Sequence, residues 1–147
     1  MTATTTEPLQ RIVLDTNVTL DWLVFENPMV LPLVAAIEQA RVQWVACAAM
    51  RTELARTLDC DNLARWAPDR ARALAVFDAH AVSVPVPEPA TLPALRCSDP
   101  DDQVFIDLAV AAKARWLLTH DRALLRLARR ARAFGVAVMP PRLWVAP

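Results

Sequence analysis

The chain has 147 residues, 55% of them apolar and 22% charged, with a formal net charge of zero. That length and balance suit one folded domain with a sizeable core and exclude a disordered chain. Short, charge-interrupted apolar runs exclude a membrane-spanning segment, and three well-separated cysteines without a CxxC pair exclude a disulfide framework or a thiolate zinc site.

Residues Met1 to Pro8 lack the basic start and apolar stretch of a secretory signal. Residues 1–10 are expected to form a flexible tail ahead of a single domain, 11–147, and unpaired cysteines suit a reducing cytoplasm. Ile12–Leu14 reads as a buried strand that ends abruptly in Asp15-Thr16-Asn17. Asn17–Phe25 reads as a helix with Leu20, Leu23 and Val24 inward. After Pro28, roughly Val30–Ala40 is a second helix, with Leu33, Val34, Ile37 and Ala40 at helical spacing. Val42–Ala46 is a second strand, and Ala48–Leu58 a helix with Leu54 and Leu58 inward. Asp61 to Ala67 forms one turn, Pro68–Ala79 a helix opened by proline, and Ala81–Val84 a brief third strand.

Pro85-Val86-Pro87-Glu88-Pro89, with Pro93 beyond, is a stiff extended connection. Asp99 then caps a helix with Pro100 at its first position, running to about Ala114. Trp116–Leu118 is a fourth strand, Arg122–Arg132 a helix, and Val136–Val138 a fifth strand stopped by Pro140-Pro141. Strands alternating with helices throughout predict the α/β class: a three-layer α/β/α sandwich around a central, mostly parallel five-stranded sheet.

In such a sheet, ligands bind beyond the carboxyl ends of the strands. Four acids are placed to reach that edge. Asp15 ends the first strand, Asp121 follows the fourth, Asp102 lies in the first turn of the helix leading to the fourth, and Glu53 lies in the helix after the second. Each has a plainer reading alone. Asp15 and Asp121 are good helix caps, Asp102 a capping group, and Glu53 a solvated residue or a partner for Arg56. Asp107 reads as surface or as a peripheral ligand, Asp21 and Asp59 as surface. Together, four converging carboxylates would repel until a hard divalent cation neutralised them.

The neutral net charge hides an asymmetry. Up to residue 110 there are eight Arg against fifteen Asp or Glu, and beyond it eight Lys or Arg against the lone Asp121. Arg51, Lys113, Arg122 and Arg126 are candidates for holding a phosphate backbone, with solvated helix surface as the alternative. His120 reads as a rim residue or a substrate contact. The tryptophans (Trp22, Trp44, Trp66, Trp116, Trp144) read as core or interface anchors, with base stacking as the minority reading.

Four stretches in order carry a family resemblance: Val13-Leu14-Asp15-Thr16-Asn17, Met50-Arg51-Thr52-Glu53-Leu54, Asp99-Pro100-Asp101-Asp102-Gln103-Val104-Phe105, and Leu117-Leu118-Thr119-His120-Asp121-Arg122-Ala123-Leu124. Over about Arg11 to Val138 the sequence resembles the PIN domain ribonucleases, especially the toxin components of bacterial toxin–antitoxin pairs. The resemblance implies an acidic quartet of Asp15, Glu53, Asp102 and Asp121, with Asn17 and Thr119 as supporting polar residues. It also implies a first strand beside the fourth, one or two Mg²⁺ or Mn²⁺ ions, and hydrolysis of single-stranded RNA. An antitoxin partner and a homodimer are expected by the same analogy. The chain departs from the family pattern at His120, where a small residue is usual, and in the proline-rich insert before Asp99.

Two rivals remain. The aspartyl-nucleophile phosphatases need a second Asp where Asn17 stands, and a dinucleotide-binding loop needs glycines that a chain with one Gly lacks. The other rival is a catalytically inactive PIN-like module that binds RNA or protein.

Overall fold

The computed structural model describes residues 8–88 and 95–147. Strand β1 (Arg11–Leu14) and strand β2 (Gln43–Ala46) each bury their last three residues, the pattern of strands covered on both faces. With β3 (Val82–Ser83), β4 (Trp116–Leu118) and β5 (Ala137–Met139) they form one five-stranded sheet in the order β3-β2-β1-β4-β5. Every described pairing is parallel. β1 is thus the central strand, and its register against β4 sets Leu14 opposite Leu118. The ladder runs one step further, with the Asp15 N–H donating to the Leu118 carbonyl over 3.0 Å.

Helices connect and cover the strands: α1 (Thr16–Leu23), α2 (Leu31–Glu38), α3 (Ala48–Leu58), α4 (Arg70–His80), α5 (Gln103–Ala111), α6 (Arg122–Leu125) and α7 (Ala128–Ala131). The α/β class with a parallel central sheet is therefore as the sequence predicts. The core gathers Ile12, Leu33, Leu54, Phe105, Ile106 and Leu117, all at most 2% exposed. Trp44 anchors one side edge-on to Phe77 at 5.1 Å, and Trp116 meets Trp144 edge-on at 5.6 Å on the other. Trp66 alone of the five tryptophans is exposed. No single helix among the described residues is long and apolar enough to cross a membrane.

Several boundaries differ from expectation. The second helix is a 3₁₀ turn, Pro28–Val30, followed by α2, and Ala40 lies beyond it, exposed, in the left-handed region at φ 56°. Pro68 precedes α4 without opening it, because Asp69 is the N-cap and accepts from Arg72 N–H. The single helix expected over Arg122–Arg132 is divided into α6, α7 and a closing 3₁₀ turn, although no residue in it breaks a helix by itself. Gln10, assigned to the tail, instead extends the sheet, its carbonyl accepting from Gln43 N–H over 2.9 Å. Residues 1–7 of that tail and residues 89–94 of the proline-rich stretch lie outside the described residues.

Candidate metal centre

Parallel pairing brings the carboxyl ends of β1 and β4 side by side, and the residues that leave those strands meet there. Asp15 is the N-cap of α1 in extended geometry, yet its carboxylate makes no capping hydrogen bond. It turns instead toward β4, where the Thr119 hydroxyl donates to its Oδ2 over 2.6 Å. The same Thr119 oxygen accepts the N–H of Asp121 over 2.9 Å. Thr119 is fully buried, so this hydroxyl has no competing water and holds the two acids in fixed relation.

Asp121 is both a cap and a member of the cluster. Its Oδ1 accepts from the Ala123 N–H at the start of α6 over 2.8 Å, which leaves its other oxygen for the cluster. Asp102 closes the group. A 3₁₀ turn, Pro100–Asp102, opened by the Asp99 side chain, delivers it to the head of α5 without a capping bond of its own. One ligand oxygen from each of Asp15, Asp102 and Asp121 lies within 4.8 Å of the others.

The electrostatics follow from that crowding. Burial pushes the Asp102 carboxyl up to about 8, reinforced by its contact with Asp121 and by the charges of Asp15, Asp121 and Asp99. Asp121 moves below the usual range, because the Asp102 carboxyl donates to it and the Ala123 N–H and Arg126 favour its charge. The two carboxyls therefore share one proton as a pair. Asp15 is raised by burial and by the Asp121 charge, against the opposing pull of Thr119 and of the Thr16 and Asn17 N–H groups. Glu53 is raised by burial and by Asp15, with the Thr16 hydroxyl favouring its charged form. The buried Cys97 thiol sits in the field of Asp102 and Asp121, and burial above all keeps it protonated.

Asp102 Oδ2 is buried without a hydrogen-bond partner. An orphaned carboxylate oxygen is costly unless a proton or a cation answers it. Three hard oxygen donors without nitrogen or sulfur fit a magnesium- or manganese-like ion better than zinc.

The other candidates are distributed unevenly. Glu53 is half-buried on α3, outside the three-acid group but within the field of Asp15. Asn17 is exposed, and its backbone N–H rather than its side chain faces Asp15. Arg126 lies close enough to Asp121 to stabilise its charge, and Arg122 is exposed on the first turn of α6. Arg51 grips Asp78 with two bonds of 2.7 and 2.8 Å, so its fork is already occupied. Lys113 is far from the acids, because it lies in the turn that leads into β4 and hence at the amino edge of the sheet.

Asp21, read as surface, and Asp107, read as surface or a peripheral ligand, are both buried. Asp21 lies inside, its Oδ2 2.6 Å from His120 Nε2, so the residue departing from the family pattern ties α1 to the end of β4. The pairing spans 99 residues, and no local pattern announces it. Asp107 is buried too and accepts from Gln103 Nε2 over 2.9 Å, while Gln103 also bonds Leu95 O and Cys97 N–H. Asp59 is exposed, as expected, and pairs with Arg70.

A PIN domain family model matches residues 11–123. No curated protein matches the chain. Its fold is similar to a chain in the crystal structure of VapBC2 from Rickettsia felis bound to a DNA fragment from their promoter. The TM-score is 0.58 at 10% identity, covering 88% of this chain and 97% of that one. The family match spans β1 to the start of α6 and includes all four acids. The chain belongs to the PIN domain family.

Proposed function

We propose that the protein is a metal-dependent endoribonuclease that hydrolyses phosphodiester bonds of single-stranded RNA, and that it acts as the toxin of a toxin–antitoxin pair. The observation that carries the chemistry is the convergence of Asp15, Asp102 and Asp121 oxygens within 4.8 Å, one of them buried without a partner. Asp15, Asp102 and Asp121 would hold Mg²⁺ or Mn²⁺, with Glu53 joining through water or a second ion. A bound divalent cation supplies Lewis acidity toward both the phosphodiester and water. The protein's own contribution is preorganisation: Thr119 fixes the spacing of Asp15 and Asp121, the Asp121–Ala123 cap anchors the second acid, and Thr16 steadies Glu53.

Arg122 and Arg126 would position the RNA backbone beside the acids without reading its sequence. Arg51 would serve there only after leaving Asp78. A small antitoxin partner that covers the acidic edge belongs to the same reading, as does a homodimeric, cytoplasmic protein; the similar fold is found in a VapBC2 structure.

The test is cleavage of a panel of purified RNAs with Mg²⁺ or Mn²⁺, wild type beside Asp15→Asn and Asp121→Asn. Cleavage that needs metal and both acids supports the proposal; undiminished cleavage by either variant rejects the assignment. Calorimetry with Mn²⁺ separates the enzyme from a binding module, which has no need of metal.

A further inference from the structure

The carboxyl edge of the sheet is acidic; its amino edge is the reverse. There a cavity of about 610 Å³ is lined by Arg11, Lys113 and Arg115 together with Gln10, Gln43 and Gly135, and among the described residues no acidic side chain lines it. The fold holds the Arg11 and Arg115 side chains and sets the backbone that carries Lys113. Arg11 donates from Nε to Gln43 Oε1 over 2.9 Å and from Nη1 to the Ala112 carbonyl over 3.2 Å. Arg115 lies over the Trp116 ring at 4.9 Å, and its backbone bonds both β1 and β5. Lys113 occupies a left-handed turn, φ 55°, that closes α5. None of the three has a carboxylate partner among the described residues. Three positive charges gathered around a concavity repel one another, and that repulsion is relieved by an anion.

We propose that this cavity is a second binding site, for a phosphate-bearing anion. Arginines offer paired donors to phosphate oxygens, and the lysine adds a point charge. The site is separate from the acids: the four steps along β1 from Arg11 to Asp15 span roughly 13 Å. One phosphate therefore cannot engage both ends. The anion has two sources, a free phosphorylated molecule or the backbone of an RNA that wraps from one edge to the other.

The protein carries its own reporter. Gly135 is the chain's single glycine and lines the cavity in a left-handed turn, where an added Cβ would meet nothing within 4 Å. Its amide resonance is consequently unique among glycine signals. Titrating inorganic pyrophosphate into the metal-free protein, with chelator present, should move the Gly135 amide peak to saturation. Lys113→Asn with Arg115→Gln keeps a left-handed-tolerant residue at 113 and a polar side chain at both positions while removing both charges, and should weaken that binding roughly tenfold or more. A thermal melt matching wild type confirms that the variant is folded; if it melts lower, Lys113→Asn alone carries the same comparison. A short RNA that displaces pyrophosphate from the same peak names the RNA backbone as the source; a short RNA that leaves the peak unmoved names a free phosphorylated molecule. A Gly135 peak that does not shift, or a charge-removed variant that binds as tightly as wild type, overturns the proposal.

Discussion

Thr119 and Asp15 lie 104 positions apart in sequence, yet the threonine hydroxyl donates to the aspartate carboxylate over 2.6 Å in a fully buried setting. The bond exists because β1 and β4 are parallel neighbours in register, so the first residues beyond both strands emerge together. Since Thr119 also accepts from Asp121, one hydroxyl sets the geometry of two acids.

Thr119→Val keeps the shape and removes that hydroxyl. It should cost about 1–3 kcal/mol of stability, because the Asp121 N–H loses its acceptor. Mn²⁺ affinity should fall about 10- to 100-fold, as when ligand-orienting partners are removed. Urea unfolding and calorimetry check both numbers, and Thr119→Ser should recover most of each.

Metal-free stability should decline as pH rises. Asp102, pushed up to about 8, binds its proton more tightly folded than unfolded. Its contribution is complete below the ordinary carboxylate range and is lost as pH climbs through about 8. Asp15 and Glu53, both raised, act in the same direction. Asp121, lowered, contributes in the opposite sense, but its loss falls on the acid side of the ordinary range. Thermal melts in chelator from about pH 5 to about pH 8.5 should show a falling midpoint. A flat or rising profile contradicts the buried, proton-sharing acids.

Divalent metal should reverse that trend. At about 100 times Kd, Mn²⁺ stabilises by about 2.7 kcal/mol, which for a domain of this size is about 5–10 °C. Binding near neutral pH should release about one proton, because the Asp102–Asp121 pair must give up the one it shares. Calorimetry in buffers of different ionisation heat counts that proton.

Asp102→Asn should separate stability from function. An amide in that position removes the unanswered carboxylate oxygen and can donate to Asp121, so the metal-free variant should melt higher than wild type near pH 8. The same variant should lose the Mn²⁺-induced rise in melting temperature and any metal-dependent cleavage. A variant that melts lower in chelator would show that Asp102 is a structural residue.

The His120–Asp21 pair should matter to the fold. His120→Ala leaves Asp21 buried without its partner and should destabilise by about 1–3 kcal/mol. The added substitution Asp21→Asn should recover part of that loss. A double-mutant cycle measured by urea unfolding gives the coupling directly.

The layered fold and the edge where the acids meet were legible because both rest on local signals. Trp116–Leu118 and Ala48–Leu58 are apolar patterns with clean limits, and both elements have the predicted boundaries. Acids directly after strands announce themselves at a parallel edge. What escaped depends on contacts that local pattern does not encode. Asp21 looks solvent-facing until a histidine 99 residues away is folded onto it. The break between α6 and α7 falls in good helix formers, so intrinsic propensity does not reveal it. Lys113 had a usable signal: a turn between a helix and the next parallel strand opens at the amino edge, away from the acids.

The order of the acids along the chain has a consequence for synthesis. Asp15, Glu53, Asp102 and Asp121 leave the ribosome in that sequence, and β1 finds its neighbour β4 only once Trp116–Leu118 has been made. A nascent or prematurely ended chain lacking Asp121 carries no complete cluster. Such a fragment lacks one of the three carboxylates that converge at this edge, so the candidate centre comes into being only after Asp121 has been added.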